Sequence, residues 1–206
     1  MNRVLEVLIC IVAGVLALPF FLLACLVVAR TLGRPLFFTQ PRAGLHGRMF
    51  LLHKLRSMSD ARDADGALLP DVDRQTAATA LLRRLRLDEV PQLLLILKGD
   101  MALVGPRPLL PETIEAFAAA GQTRCSVRPG LTGWSQVSGN TALSNDEKLQ
   151  LDLWYVAHRS LGLDIQILIE TIGVALGGER RRHDRINQAA RWLAAEGYPT
   201  LQESPA

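Results

Sequence analysis

The stretch VLICIVAGVLALPFFLLACLVVA, from Val7 to Ala29, is a run of 23 residues without a charged side chain. Charged residues flank it, with Arg3 and Glu6 before it and Arg30 and Arg34 after it. A helix of this length is sufficient to cross a bilayer. The run is too long for a cleaved signal peptide and has no evident small-residue cleavage site. The sequence therefore predicts a membrane segment that is retained.

Pro19 divides this run into apolar halves of 12 and 10 residues. At about 1.5 Å per residue each half reaches roughly 15 to 18 Å, about half the hydrocarbon thickness. Two interpretations fit: a simple spanning helix that tolerates the proline, which the residues alone favour, and a broken helix that enters and leaves by the same face. Cationic residues at both ends are compatible with both ends being cytoplasmic.

Composition limits the class of protein. The 206 residues are 49% hydrophobic, with a mean hydropathy of +0.18, which predicts one domain whose apolar excess faces something other than water. Three irregularly spaced cysteines indicate neither a disulfide framework nor a zinc site, and we expect a reduced compartment on the domain side. The net charge of only +3, without an aromatic stacking platform, argues against nucleic-acid binding.

The residues after Arg34 predict a small α+β domain that is mainly helical. Pro35–Phe38 and Met49–Leu52 predict the two strands of a short hairpin, with a turn at Gly44–Gly47. The acidic, turn-rich segment Ser59–Asp73 predicts a surface loop.

Three helices are predicted beyond this loop. Gln75–Leu87 interleaves apolar and basic residues and could lie on an anionic surface. Asp88 could cap a second helix, Glu89–Leu97, with a proline in its first turn. Leu163–Leu176 fits either an interfacial helix, stopped by the basic residues Arg180–Arg182, or a core helix.

Asp88 and Glu89 are the first candidate site residues. Adjacent carboxylates at a helix start can be divided between a nucleophile and a metal ligand, and the helix dipole keeps them ionised. The same pair is also ordinary helix capping. Basic residues, several of them beside prolines and glycines, could aim cations at phosphate oxygens, and a diphosphate with Mg²⁺ would suit such a site. These residues are Lys54, Arg56, Arg83, Arg107 and Arg128.

Several motifs resemble those of a known family. They are LDEVPQL at Leu87–Leu93, LKGDM at Leu97–Met101, VGPRP at Val104–Pro108, RPGLTGW at Arg128–Trp134 and KLRSM at Lys54–Met58. In this order, from Arg3 to about Thr171, the chain resembles the bacterial sugar transferase family, the monotopic phosphoglycosyl transferases.

The resemblance implies a two-step reaction at the cytoplasmic face of the bacterial inner membrane, in contact with membrane lipids. A phosphosugar would pass from a nucleotide donor, expected to be a UDP-sugar, to an aspartate, and then to polyprenyl (undecaprenyl) phosphate. The first segment, residues 1–30, would be re-entrant, with both ends on one side of the membrane. Residues 31–180 would form the cytosolic catalytic domain and residues 181–206 a basic tail.

Roles carried over by motif position make Asp88 the nucleophile and Glu89 the ligand of Mg²⁺. Lys54 and Arg83 would organise phosphate charge. The remaining residues are implied to bind substrate, with Pro106, Arg107 and Pro108 contacting the nucleotide, together with Arg56, Arg128 and Gln136.

Two positions depart from the family. Leu18 replaces the serine that often precedes the helix-breaking proline, and Asn140 replaces an arginine, so a phosphate-directed cation is missing. Two other functions stay open, a membrane-anchored phosphohydrolase that uses Asp88 and a tethered adaptor that binds anionic lipid. The sequence does not identify the sugar, the carrier length or the oligomeric state, so a homodimer also stays open.

Overall fold

Helices make up most of the chain, with two short pairs of strands between them. The computed structural model describes residues 1–197. Its elements are α1 (Arg3–Thr31), β1 (Phe37–Ala43), β2 (Met49–Leu55), α2 (Ala77–Arg84), α3 (Gln92–Lys98), β3 (Ala102–Val104), α4 (Pro111–Ala116), α5 (Ala118–Arg124), β4 (Gly130–Thr132), α6 (Trp134–Val137), α7 (Asn145–His158), α8 (Leu161–Gly177) and α9 (His183–Ala195). The prediction of a mainly helical α+β fold with a short hairpin is confirmed.

Helix α1 contains the whole apolar run. Its first turn is capped by Asn2, whose side-chain oxygen accepts a hydrogen bond from the Val4 backbone N–H, and Pro19 lies in its interior. Both apolar halves of the run therefore lie in one helix, since an interior proline costs a hydrogen bond without having to end the helix. By length and composition, α1 is sufficient to cross a membrane.

One side of α1 packs against the rest of the chain at both of its ends. Near its start, the Arg3 guanidinium donates to the carbonyl oxygens of Ile96 at 2.6 Å and Leu97 at 3.0 Å. Near its end, Val28 is fully buried in an apolar cluster that includes residues of β2 and α2. Most of the large apolar side chains on its other sides are exposed. Both ends of α1 therefore contact the same domain.

Strands β1 and β2 form the predicted hairpin. They pair antiparallel from Phe37 opposite Leu55 to Ala43 opposite Met49, so each strand extends further than the sequence predicts. The turn between them includes His46 at φ 54° and Gly47 at φ 74°. The hairpin positions Lys54 one residue before the end of β2.

The segment from α2 to α3 corrects one prediction. Helix α2 ends at Arg84, Arg86 adopts a left-handed conformation at φ 57°, and Leu87–Glu89 form a 3₁₀ turn. Helix α3 begins only at Gln92. The prediction that Asp88 caps a helix over Glu89–Leu97 is therefore wrong, because the chain reverses at Arg86 and winds tightly before α3. Both carboxylates lie in the turn.

The C-terminal part of the chain surrounds α7. Helix α8 extends the predicted Leu163–Leu176 segment by a few residues and exposes an apolar stripe that includes Ile165, Ile169 and Ile172. Within the segment 181–206, predicted as a basic tail, helix α9 packs on α7 and buries apolar side chains. Arg185 of α9 lies 4.0 Å from the ring centroid of Trp134. Residues 198–206 of that segment lie outside the described part of the chain.

Candidate active site

A polar cavity of about 490 Å³ brings together side chains from distant parts of the sequence. Six of the candidate catalytic and binding residues line it: Lys54 from β2, Arg83 from α2, Asp88 and Glu89 from the 3₁₀ turn, Arg107 from the loop after β3, and Gln136 from α6. These six residues therefore combine two adjacent carboxyl groups with several cations, an arrangement suited to a phosphorylated ligand.

Asp88 is a buried acid of the cavity with a raised pKa. Its side chain is only 6% exposed, and its Oδ1 atom is buried without a hydrogen-bond partner among residues 1–197. Burial, and secondly the charge of Glu89, raise the pKa of Asp88 to about 6, against the opposing effects of Lys54 and Arg83. An unpaired carboxyl oxygen in a cavity is available to react or to bind a ligand.

Glu89 has the opposite environment. Its Oε1 accepts a hydrogen bond from Arg107 Nη2 at 2.9 Å, and Arg86 Nη1 lies 3.3 Å from both of its oxygens. Burial by itself raises the pKa of Glu89, but the nearby Arg107 and Arg86 outweigh it, so the pKa is lowered. The two adjacent carboxyls therefore differ, since Glu89 is held as an anion by cations and Asp88 is not.

Two cations face this pair. Burial lowers the pKa of Lys54, although Asp88 favours its charged form, and its ammonium lies 5.3 Å from the Phe38 ring centroid. Arg83 Nη1 is buried without a hydrogen-bond partner within residues 1–197, and its nearest carboxylate, Asp71, is 3.9 Å away. Arg83 thus retains unused donor capacity beside the cavity.

The loop that carries Arg107 is held by close backbone contacts. The Gly130 N–H donates to the Pro106 carbonyl at 2.9 Å. A Cβ atom at Gly130 would lie 2.1 Å from the Gly105 nitrogen, so only glycine permits this approach. The Arg107 carbonyl accepts a hydrogen bond from Arg124. The Gly-Pro-Arg-Pro loop is therefore fixed from two sides.

Two predicted substrate-binding arginines lie elsewhere. Arg56 donates to the carbonyl oxygens of Leu32 and Gly33 just beyond α1. Arg128 donates to the Met101 carbonyl at 2.9 Å and to Glu6 at 2.8 Å. Neither lines the polar cavity. Arg56 therefore joins the domain to the residues just after α1, and Arg128 joins it to Glu6 within α1.

Pro106 and Pro108 flank Arg107 without lining the polar cavity. Pro108 instead lines a small adjoining cavity together with Lys54 and Arg107. The prolines are placed to fix the direction of the Arg107 segment, since each restricts its own φ and the residue before it.

A comparison with protein families identifies the family of the chain. The family model described as Bacterial sugar transferase matches residues 1–178, and so includes every site residue that was predicted from the sequence. The chain belongs to the bacterial sugar transferase family.

Individual relatives agree with this assignment. An uncharacterized sugar transferase, EpsL, of Bacillus subtilis strain 168 is 48% identical over 153 residues, which cover 74% of this chain and 76% of that protein. The undecaprenyl-phosphate galactose phosphotransferase of Salmonella typhimurium is 32% identical over 193 residues, 85% of this chain but 40% of that protein. A UDP-N-acetylgalactosamine-undecaprenyl-phosphate N-acetylgalactosaminephosphotransferase of Aeromonas hydrophila is 36% identical over 180 residues, 82% of this chain and 43% of that protein. The chain spans less than half the length of these last two relatives.

In this bacterial sugar transferase Asn140, which stands where the resemblance implies an arginine, binds a carboxylate. Asn140, at φ 43°, donates to the Glu179 carboxylate, which also accepts hydrogen bonds from Thr141. Burial raises the pKa of Glu179, but these hydrogen bonds and Arg86 lower it overall. Glu179 therefore occupies this edge of the cavity with a carboxylate.

Sequence reasoning missed several residues that line the cavity. They are Arg86, Arg124, Asn145, Lys148, Asp152 and Glu179. The signal for three of them was present, since Asn145, Lys148 and Asp152 share one face of α7 by helical spacing. The others depend on tertiary contacts.

The raised pKa of Asp88 predicts a pH-dependent stability of the metal-free bacterial sugar transferase. The folded state keeps the Asp88 proton up to a pH of about 6, whereas the unfolded state releases it near the ordinary aspartate pKa of about 3.9. This group therefore lowers stability as pH rises through that window. Asp88→Asn should gain about 3 kcal/mol over wild type between about pH 4 and pH 7.

Thermal unfolding in detergent with a chelator, followed by circular dichroism, measures this difference. Comparing the two proteins at each pH cancels the contributions of the other acids. A stability difference that stays constant across the range would contradict the placement of Asp88 in a desolvated site.

Proposed function

We propose that this protein transfers a phosphosugar from a UDP-sugar to polyprenyl phosphate, such as undecaprenyl phosphate, and releases UMP. One observation carries the proposal: the polar cavity adjoins an apolar groove, and both are lined by Arg86, Glu89 and Gln136. A reaction between a charged nucleotide-sugar and a lipid needs a polar and an apolar site that meet at the reacting phosphates. The names of the Aeromonas and Salmonella relatives support the same substrates.

The apolar groove lies between α1 and α8. It has a volume of about 230 Å³, and Ala13 and Ala17 of α1 face Leu168 and Thr171 of α8 across it. An isoprenoid chain that lies here would enter from the side on which both helices expose apolar residues. Its phosphate would reach Arg86 at the junction with the polar cavity.

In the proposed first step, an oxygen of the Asp88 carboxylate attacks the β-phosphorus of the donor. The new O–P bond forms as the bond from that phosphorus to the bridging oxygen breaks, and UMP leaves with that oxygen. Lys54 and Arg83 are placed to neutralise the phosphate charge that builds up. Burial of Asp88 keeps its oxygen poorly solvated and free of competing hydrogen bonds.

In the second step a phosphate oxygen of the polyprenyl phosphate attacks the same phosphorus. The bond from phosphorus to Asp88 breaks, the carboxylate is restored, and a polyprenyl diphosphate-sugar results. Both steps are displacements at one phosphorus, so no oxidant or other reactant is needed. The arrangement also explains why the groove and the cavity share lining residues.

Mg²⁺ is part of the proposal, and the oxygen atoms present fit it. Mg²⁺ is usually held by one or two carboxylates together with water and substrate phosphates. Within residues 1–197 no three His, Cys, Asp or Glu side chains cluster, so the protein alone offers only a partial shell. Glu89 would hold the ion, and the Gln136 Oε1 atom, which has no hydrogen-bond partner among residues 1–197, belongs to the same cavity. Bound there, Mg²⁺ would offset the negative charge of the diphosphate.

The test combines donor panels with a blocked groove. Release of UMP from UDP-glucose, UDP-galactose and their N-acetylamino forms is measured with and without undecaprenyl phosphate. Ala17→Phe, which fills the groove, should raise the KM for the lipid about tenfold or more. Without acceptor, this variant should still release one UMP per protein molecule. Leu16→Phe, on an exposed site of the same helix, serves as the control. Continuous UMP release without lipid would instead indicate a phosphohydrolase.

We also propose that α1 is re-entrant, with both ends and the catalytic domain on the cytoplasmic face. Contacts at both ends support this, since Arg3 binds the end of α3 and Arg56 binds the carbonyls of Leu32 and Gly33. The exposed apolar stripe of α8 supports a membrane surface that continues beyond α1.

Cysteine labelling in intact cells tests this topology. A cysteine at Asn2 should be protected from a membrane-impermeant thiol reagent, as should a cysteine at Asp60 in the exposed loop of the catalytic domain. Both sites should react after the cells are opened. Labelling of the Asn2 position, but not of the Asp60 position, from outside would establish a spanning helix instead.

A further inference from the structure

Helix α7 forms one wall of the polar cavity. Three of its polar residues, Asn145, Lys148 and Asp152, line the cavity and share one helical face. Their burial increases along the helix, from an exposed Asn145 through a half-buried Lys148 to Asp152 at 2% exposure. This wall therefore reaches from the mouth of the cavity into its interior.

Asp152 has one satisfied oxygen and one that is not. Its Oδ2 accepts from Arg124 Nε at 2.9 Å and lies 2.7 Å from Arg124 Nη2. Its Oδ1 is buried and has no hydrogen-bond partner among residues 1–197. A buried carboxylate oxygen without a donor costs free energy, and native proteins seldom leave one unpaired. A donor group supplied by the ligand would satisfy it.

The cations of the cavity restrict what that ligand group can be. Lys54, Arg83 and Arg107 are suited to the phosphates, whose oxygens accept hydrogen bonds but have no proton to offer Asp152. The ring hydroxyls of a nucleotide-sugar do donate, and each can also accept a hydrogen bond from neighbours such as Lys148 or Asn145. The phosphates would therefore lie against these cations, and a hydroxyl would lie at Asp152.

We propose that Asp152 Oδ1 accepts a hydrogen bond from a ring hydroxyl of the UDP-sugar, which makes Asp152 a specificity-determining residue. This inference rests on the proposed function. The hydroxyl belongs either to the transferred sugar or to the ribose, which present the same chemistry. Through Arg124, whose guanidinium also contacts the Arg107 carbonyl, the same carboxylate positions the phosphate-binding loop.

Binding of deoxy ligands to the full-length protein in detergent tests the proposal by calorimetry. The probes are the tightest-binding UDP-sugar of the panel above with its monodeoxy forms, and UMP with its 2′-deoxy and 3′-deoxy forms. In wild type, removal of one hydroxyl should weaken binding about tenfold or more. In Asp152→Asn, which keeps an oxygen for Arg124, the ratio of the Kd of that deoxy form to the Kd of its parent should fall to about one. Asp146→Asn, on the same helix but outside the cavity, should keep the wild-type ratio.

An Asp152-dependent loss of affinity in either ligand series supports the proposal. A loss among the UDP-sugars assigns the hydroxyl to the sugar, and a loss among the UMP forms assigns it to the ribose. The proposal is overturned if wild type binds every deoxy form as well as its parent, a result that needs no variant to fold. It is also overturned if folded Asp152→Asn retains the ratio, or if only methylation of the uracil N3 weakens binding in an Asp152-dependent way. Failure of the proposed function is separate, since it would appear as no UMP release with undecaprenyl phosphate present.

Discussion

Asp88→Asn should abolish UMP release from the UDP-sugar, with a rate loss of at least about 10³-fold, even when no lipid acceptor is present. The amide has nearly the same shape as the carboxyl, so the cavity and its cations should be retained. Its oxygen is a far poorer nucleophile, and the proposed first step then has no attacking group. Because Asp88 Oδ1 has no hydrogen-bond partner within residues 1–197, the substitution breaks no side-chain hydrogen bond of that atom.

Single-turnover release of UMP from radiolabelled donor measures this loss. Asp100→Asn is the matched control, since Asp100 is exposed beyond α3 and does not line the cavity. It should release UMP at the wild-type rate. A rate for Asp88→Asn close to wild type would show that the lipid phosphate attacks the donor directly.

Glu89→Gln should lower the rate by about 10²-fold for a different reason. Glu89 is nine-tenths buried and is held by Arg86 and Arg107. Removing its charge weakens the proposed Mg²⁺ site and frees both arginines, so the phosphates lose their fixed surroundings. The nucleophile itself is unchanged, so some turnover should persist.

Rates measured over a range of Mg²⁺ concentrations separate this role from that of Asp88. The half-saturating Mg²⁺ concentration should rise about tenfold or more in Glu89→Gln, and excess Mg²⁺ should recover part of the rate. Glu115→Gln, on the exposed side of α4, should behave as wild type. An unchanged Mg²⁺ dependence would mean that Glu89 serves only to anchor the arginines.

The local features of the fold were predictable because they depend on neighbouring residues. The hairpin follows from apolar strands around a glycine-containing turn, and α8 from an apolar run of helical length. The end of α2 was not predictable in the same way, because an arginine such as Arg86 does not favour a left-handed conformation. The proposed re-entrant course of α1 depends on a membrane environment as well as on Pro19.

The candidate site was predictable where a motif carried it. Lys54, Arg83, Asp88 and Glu89 converge as the resemblance implies. Arg128 precedes a proline in the sequence, as Arg107 does. A guanidinium in such a loop can bind a carboxylate as well as a phosphate, and here Arg128 binds Glu6.

The roles of other site residues depend on tertiary contacts that the sequence does not specify. Asp152 lies in an ordinary amphipathic helix, and its unpaired oxygen becomes visible only when α5, α7 and the Arg107 loop are packed together. Glu179 acquires its place in the same way, through Asn140 and Thr141.

The most direct test of the account is the mass of the Asp88 peptide after incubation with donor alone. Wild-type protein, Mg²⁺ and the UDP-sugar are combined without lipid, quenched and digested, and the peptide that contains Asp88 is measured by mass spectrometry. The account predicts a mass increase of one phosphosugar on that peptide, lost when undecaprenyl phosphate is added before quenching and never formed by Asp88→Asn. An unmodified Asp88 peptide in protein that has released one equivalent of UMP would contradict it.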